Sequence, residues 1–148
     1  GRGPLGVMVE GRVHYHAAPG EREILPLPRR TDHKVALFEA SLGADTLLLD
    51  RVVELRYAGL VIAGFGAGHV SQIWAEVLGD ICGYIPVVVG SRTGAGATAS
   101  HSYGFVGGEI DLQGRGALMA GTRCPRKSRI KLWLMLGSQD RDGVCAHW

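Results

Sequence analysis

The chain has 148 residues, a mass of 15.8 kDa, 46% apolar side chains and a formal charge of +2. That suits one domain, or one domain plus an arm, and excludes a disordered chain. No apolar run approaches the roughly 18 residues of a membrane span, and the charge balance gives no case for nucleic acid, so neither partner is expected.

Cysteine number and spacing narrow the field further. Cys82, Cys124 and Cys145 are odd in number, which excludes a fully paired disulfide framework, and they lie too far apart for metal-ligand spacing. The chain begins at Gly1 with no visible signal peptide, and the expected location is cytoplasmic. Glycine is the compositional outlier, at 23 residues, and its clusters point to tight turns.

In chain order, Gly1-Arg2-Gly3-Pro4-Leu5-Gly6 reads as turns, and the β-rich runs from Val7 to Tyr15 flank Glu10-Gly11 as a predicted hairpin. Pro19-Gly20, Pro26 and Pro28, among Glu21, Arg22, Arg29 and Arg30, read as a polar linker. Residues 1–33 are therefore expected to be an arm and linker, and 34–148 a domain. Val35-Ala36-Leu37-Phe38 is a first buried-strand candidate. Asp45 is placed to cap a helix carrying Leu47, Leu48, Leu49, Val52, Val53 and Leu55, with Arg51 and Arg56 towards its negative end.

Leu60-Val61-Ile62-Ala63 is a second strand, running into Gly64-Phe65-Gly66-Ala67-Gly68-His69. Val70, Ile73, Trp74, Val77 and Leu78 then form one apolar helix face, which His69 opens. Pro86-Val87-Val88-Val89 is a third strand, ending in Gly90-Ser91-Arg92-Thr93-Gly94. Leu118-Met119-Ala120 is a short fourth. Pro125 suits the first turn of a helix from Arg126 to Leu136, with Ile130, Trp133, Leu134 and Met135 buried and Gly137 as terminator. Arg123, Arg126, Lys127, Arg129 and Lys131 read as its solvated face. Strands apolar on both sides that alternate with amphipathic helices predict an α/β fold: a flavodoxin-like parallel sheet with helices on both faces. Ligands of such sheets bind at the carboxyl ends of the strands.

The glycine segment after the second strand lies where a dinucleotide fingerprint would. Its spacing fails G-x-G-x-x-G from either Gly64 or Gly66, and no acid closes the next strand. His69 beside a helix start would face unpaired N–H groups and the positive end of the dipole, which disfavours the imidazolium. Ser91, Arg92 and Thr93 offer hydroxyls and a fixed cation, for a ligand or for a neighbouring subunit.

These segments together resemble the C-terminal domain of bacterial L-asparaginases, in the asparaginase/glutaminase family. The residues that carry the resemblance are Gly3-Pro4-Leu5-Gly6 with Val13-His14-Tyr15, Gly59 to Val70, Pro86 to Gly96, Tyr103-Gly104-Phe105, and Pro125 to Ile130. Family members hydrolyse asparagine, and often glutamine. The resemblance implies that the attacking Thr and its Tyr and Thr-Asp-Lys partners belong to an N-terminal catalytic domain. No matching motif is present in this chain, and Thr31-Asp32 lies in the linker without that context.

The resemblance further implies that this domain completes a neighbouring subunit's site, in a homo-oligomer, without a cofactor or metal. The family does so through an Asn in the glycine turn and an acid in the loop before Tyr-Gly-Phe. Here His69 stands at the Asn position, and residues 97–102 hold no acid. The expected substrate-binding residues are His69, Gly68, Ser91 and Arg92, with L-asparagine or a related amide as ligand and no catalytic residue in this chain. The alternative is a non-catalytic small-molecule or nucleotide-binding module of Rossmann or flavodoxin-like fold.

Overall fold

The computed structural model describes residues 3–18 and 24–148. The sequence expectations at Gly1-Arg2, Pro19-Gly20, Glu21 and Arg22 lie outside the described residues. Strands β1 (Gly6–Val9) and β2 (Arg12–Tyr15) pair antiparallel about Glu10 and Gly11, both at positive φ (49° and 74°), so the predicted hairpin forms. Its apolar side chains do not enter a core: Val7, Met8, Val9, Val13 and Tyr15 are all exposed.

The remaining elements, in chain order, are β3 (Val35–Glu39), α1 (Leu47–Asp50), β4 (Gly59–Gly64), α2 (Gln72–Cys82), β5 (Val87–Ser91), α3 (Glu109–Gly114), β6 (Leu118–Met119), α4 (Pro125–Ser138) and α5 (Arg141–His147). The sheet is parallel in the order β3-β4-β5-β6. Strands that follow one another in sequence order, through crossovers of one hand, place all their connecting helices on one face. Accordingly Leu49, Trp74, Leu78 and Leu112, from α1, α2 and α3, pack with Leu60, Ile62, Val87 and Val89. The chain then returns beneath the sheet, where Leu132, Met135 and Leu136 of α4 and Val144 of α5 cover Val35, Val61 and Val88. Neighbouring strand residues thus serve opposite cores, which is why the strands read as apolar on both sides. This is the expected α/β fold with helices on both faces.

Several helix details correct the sequence reading. The first helix spans only Leu47–Asp50, and turns continue to Arg56, whose φ of 57° breaks the stripe. Leu49 and Val52 are buried, but Leu47, Leu48 and Leu55 are exposed. Asp45 does accept a bond from the Leu47 N–H, although Thr46 occupies the cap position. Arg51 pairs with Glu54 at 2.7 Å instead of with the helix end. Val70, just before α2, and Trp74 and Leu78 on it are buried as expected, Val77 packs at the margin, and Ile73 faces solvent. The buried side of α2 instead continues through Ala75, Ile81 and Cys82.

In α4, Ile130 is exposed, Trp133 and Leu134 are half-buried, and the buried stripe is Leu132, Met135 and Leu136. An apolar run this dense offers two stripes at helical spacing. The close approach of Leu132 and Leu136 to Gly59, where an added Cβ would lie 2.9 Å from each, selects one of them. Gly137 does not end the helix. It lies inside α4, where Pro28 and Arg30 press against it, and its carbonyl accepts the N–H groups of Arg29 (2.7 Å) and Arg30 (3.1 Å). Of the basic residues, Arg126, Lys127 and Arg129 are exposed as expected, whereas Lys131 is buried with its Nζ 4.7 Å from the Trp148 ring centroid.

Candidate functional site

All four residues expected to bind substrate lie at the carboxyl ends of β4 and β5: Gly68 and His69 in the turn after β4, Ser91 as the last residue of β5 and Arg92 just beyond it. After β4 the chain folds back on itself: Phe65 and His69 exchange backbone bonds, N–H to O at 2.8 and 2.9 Å, and Gly68 N–H also reaches the Phe65 carbonyl at 2.8 Å. Gly68 sits at φ 99° and is buried; an added Cβ would lie 2.9 Å from both Thr98 Cγ2 and Met119 Cε. Both the conformation and the close approach require glycine there. His69 therefore belongs to this turn and does not open α2. The helix starts at Gln72 with Ser71 as its cap, and the His69 N–H is already bonded, so the helix dipole is not what sets its environment.

What sets it is Glu109. This side chain is fully buried (0% exposed) at the start of α3. Its Oε1 accepts the N–H groups of Ser102 and Tyr103, each at 2.7 Å, and its Oε2 lies 3.0 Å from His69 Nε2. Burial pushes the carboxyl up, but the N–H groups of Tyr103, Glu109 and Ser102, together with the His69 ring, outweigh it and hold the group below the ordinary carboxylate range. The imidazole is 18% exposed and lies between two rings, with Tyr103 at 4.9 Å and Phe105 at 5.0 Å, both edge-on. Tyr103 and Phe105 are themselves about half exposed, so the imidazole has an aromatic rim.

Asp111, two residues on, closes the same loop. Its carboxylate accepts the Gly107 N–H at 2.9 Å and pairs with Arg115 at 2.9 Å. Burial again pushes the acid up, and Arg115 with the Gly107 N–H brings it below its ordinary value.

The structure puts Ser91 and Arg92 in a different setting. Ser91 is buried and shares a 2.8 Å bond with the Thr93 hydroxyl, which itself donates to the Ala95 carbonyl at 2.7 Å. Arg92 donates to the Ala40 carbonyl at 2.8 Å, approaches Glu39 at 3.6 Å and lies 4.3 Å above the Phe65 ring centroid. A cavity of about 310 Å³ is lined by Ser91, Arg92, Glu39, Cys124 and Arg126 among others; His69 and Gly68 are not part of its wall. So the structure joins His69 with Gly68 in one turn, and Ser91 with Arg92 in a second loop. Among the described residues no group of three or more His, Cys, Asp or Glu is placed to hold a metal ion.

Glu109 is not among the residues expected from sequence. The sequence reading looks for the acid in 97–102, next to Tyr103, whereas the fold brings one from beyond the loop. Its signal is Gly107-Gly108 followed by acids at Glu109 and Asp111, the pattern of a helix start. The helix it opens, α3, and the last helix, α5, are both additions to the elements expected from sequence.

This parallel sheet, with its glycine turn, lies in the segment that the comparisons with known proteins match. The chain belongs to the family described as the glutaminase/asparaginase C-terminal domain, whose profile matches residues 34–145. Among its relatives is a glutamyl-tRNA(Gln) amidotransferase subunit of Archaeoglobus fulgidus, 33% identical over 80% of this chain and 28% of that protein. The corresponding amidotransferase subunit of Methanosarcina acetivorans is 32% identical over 72% of this chain and 25% of its own length. L-asparaginase 2 of Escherichia coli is 28% identical over 95% of this chain and 40% of that protein. The chain thus spans between a quarter and two fifths of the length of these relatives.

Proposed function

We propose that this chain is the C-terminal domain of an L-asparaginase-type amidohydrolase, which converts L-asparagine and water to L-aspartate and ammonia, and that it completes the substrate site of a neighbouring subunit. In this mechanism the nucleophilic hydroxyl and the oxyanion donors come from a preceding catalytic domain. This domain holds the α-amino end of the substrate at His69 and excludes water with Tyr103 and Phe105. Ser91 and Arg92 keep the adjoining loop in shape.

The observation that carries the reading is the Glu109–His69 pair. The family resemblance implies an Asn in the glycine turn and an acid in the loop; here a buried carboxylate stands behind an imidazole in that turn. The exposed apolar hairpin supports a partner domain, because two strands alone rarely hold together in water. Two assays test the reading. The 148-residue chain alone should release no ammonia from asparagine, and the chain joined to a family catalytic domain should release it and sediment as an oligomer. Ammonia release by the chain alone, or none from the joined form, contradicts the proposal.

A second reading, as part of an amidotransferase, draws on the relatives at 32–33% identity. Ammonia release that depends on a glutamyl-tRNA acceptor would favour it.

A further inference from the structure

We infer that Glu109 is a positioning residue that fixes the His69 ring as an Nε2–H tautomer, leaving Nδ1 as a permanent acceptor for a primary ammonium group. The inference rests on the reading of His69 as the amine-holding residue, and it explains how a loop without an acid can still present negative charge.

Glu109 is fully buried; its Oε1 accepts the N–H groups of Ser102 and Tyr103, and its Oε2 faces the imidazole. A carboxylate accepts and does not donate, so the nitrogen that faces Oε2 carries the proton. The lone pair of a neutral ring is then at Nδ1. That nitrogen has no hydrogen-bond partner among the described residues. Among the described residues the fully buried side-chain polar atoms without a partner are His33 Nδ1 and Ser128 Oγ, so His69 Nδ1, on a ring that is 18% exposed, is not sealed from solvent.

The charge follows from the same geometry. The groups that face the ring are the carboxylate of Glu109, from α3, and the uncharged rings of Tyr103 and Phe105. The nearby Asp111 is already neutralised by Arg115. With a neutral imidazole the Glu109–His69 pair therefore carries one negative charge. An ammonium donating to Nδ1 is attracted by that charge through the ring, whereas a carboxylate or a phosphate is repelled. The aromatic edges around the imidazole limit access to small amines and add little charge of their own.

A purely structural role for Glu109, as a staple between α3 and the 102–103 loop, predicts the same fold but not the same proton position. Glu109→Gln separates the two. The side-chain oxygen of Gln remains opposite the two N–H groups of Ser102 and Tyr103, since an NH₂ there would face two donors. Its NH₂ then faces His69 and donates, which forces the ring to accept at Nε2 and carry its proton on Nδ1.

The experiment is long-range proton–nitrogen correlation spectroscopy of His69 in the ¹⁵N-labelled chain at about pH 9, well above the ordinary imidazole range. The result expected is Nε2–H in the wild type and Nδ1–H in Glu109→Gln. A wild-type ring protonated at Nδ1, or averaging between tautomers, overturns the proposal, and this part needs no variant to fold. A Gln variant that folds and keeps Nε2–H also overturns it. In the form joined to a catalytic domain, Glu109→Gln should raise KM for asparagine by about tenfold or more, with a smaller change in kcat, as expected for a lost charged hydrogen bond. A flipped tautomer with unchanged KM would remove the ammonium from the proposal. The spectroscopy involves no substrate, so it fails or succeeds independently of the amidohydrolase reading.

Discussion

The turn after β4 and the loop after β5 lie side by side at the same edge of the sheet, and both place polar residues after small ones. They differ in what those polar groups have left to offer. In the second loop the hydroxyls of Ser91 and Thr93 bond to each other, and Arg92 is held by the Ala40 carbonyl, Glu39 and the Phe65 ring. In the first, a buried acid fixes one nitrogen of His69 and leaves the other open. Residue type alone makes Arg92 the better ligand. Accounting for each donor and acceptor leaves the unused atom on His69, whereas Ser91, Thr93 and Arg92 already have partners inside the fold.

The first turn depends most heavily on Glu109. Glu109→Ala leaves two backbone N–H groups and an imidazole without their acceptor in a buried place, and should lower unfolding stability by about 3 kcal/mol or more. Urea denaturation checks it, and a loss below about 1 kcal/mol would show that the carboxylate is replaceable by water. The pH dependence has a definite sign. Glu109 titrates lower when folded than when unfolded, so its stabilisation is complete above the ordinary carboxylate value and is lost as pH falls through the lowered folded value. Glu109→Gln should therefore flatten the acid limb of the stability curve.

The turn itself comes next. Gly68→Ala meets both a φ of 99° and two side-chain carbons at 2.9 Å, and should cost about 2 kcal/mol by the same measurement. Arg92→Ala removes a carbonyl bond and a partly exposed ring contact. It should cost about 1 kcal/mol in stability and leave KM for asparagine unchanged in the form joined to a catalytic domain. A large KM effect there would return the second loop to the binding site.

The smallest effect concerns the thiols. Burial pushes Cys82 up to about 11, with Cys145 adding to the rise and Arg141 opposing it. In the native protein at about pH 8 Cys82 should react with a disulfide reagent far more slowly than Cys124 and Cys145, which are partly exposed, and all three should react alike in denaturant.

The legibility of the sequence follows the range of the interactions. Strands β3, β4 and β5 are readable because each is buried on both faces, and α2 because Trp74 and Leu78 repeat at helical spacing. The glycine turn is readable by its clustering, and the hairpin by Glu10-Gly11 between β-rich runs. The stripe of α4 is ambiguous in sequence because residues 130–136 are apolar almost throughout, and only the fit of Leu132 and Leu136 against Gly59 selects a face. Gly137 resembles a stop signal because the linker residues that press on it lie more than 100 positions earlier in the chain. Glu109 is not legible in the sequence for the same reason: it stands 40 positions after His69, and the two meet only when α3 packs beside the turn.

Under the proposed function the substrate contact falls to His69 and not to the neighbouring loop. This is tested most directly by comparing kcat/KM for asparagine between wild type and His69→Ala, in a form that carries a catalytic domain and is confirmed to be folded and assembled. The predicted loss is about 1–3 kcal/mol in kcat/KM, expressed mainly through KM, with unfolding stability changed far less than by Glu109→Ala. A folded, assembled variant that keeps the wild-type kcat/KM would make His69 a turn residue and contradict the account.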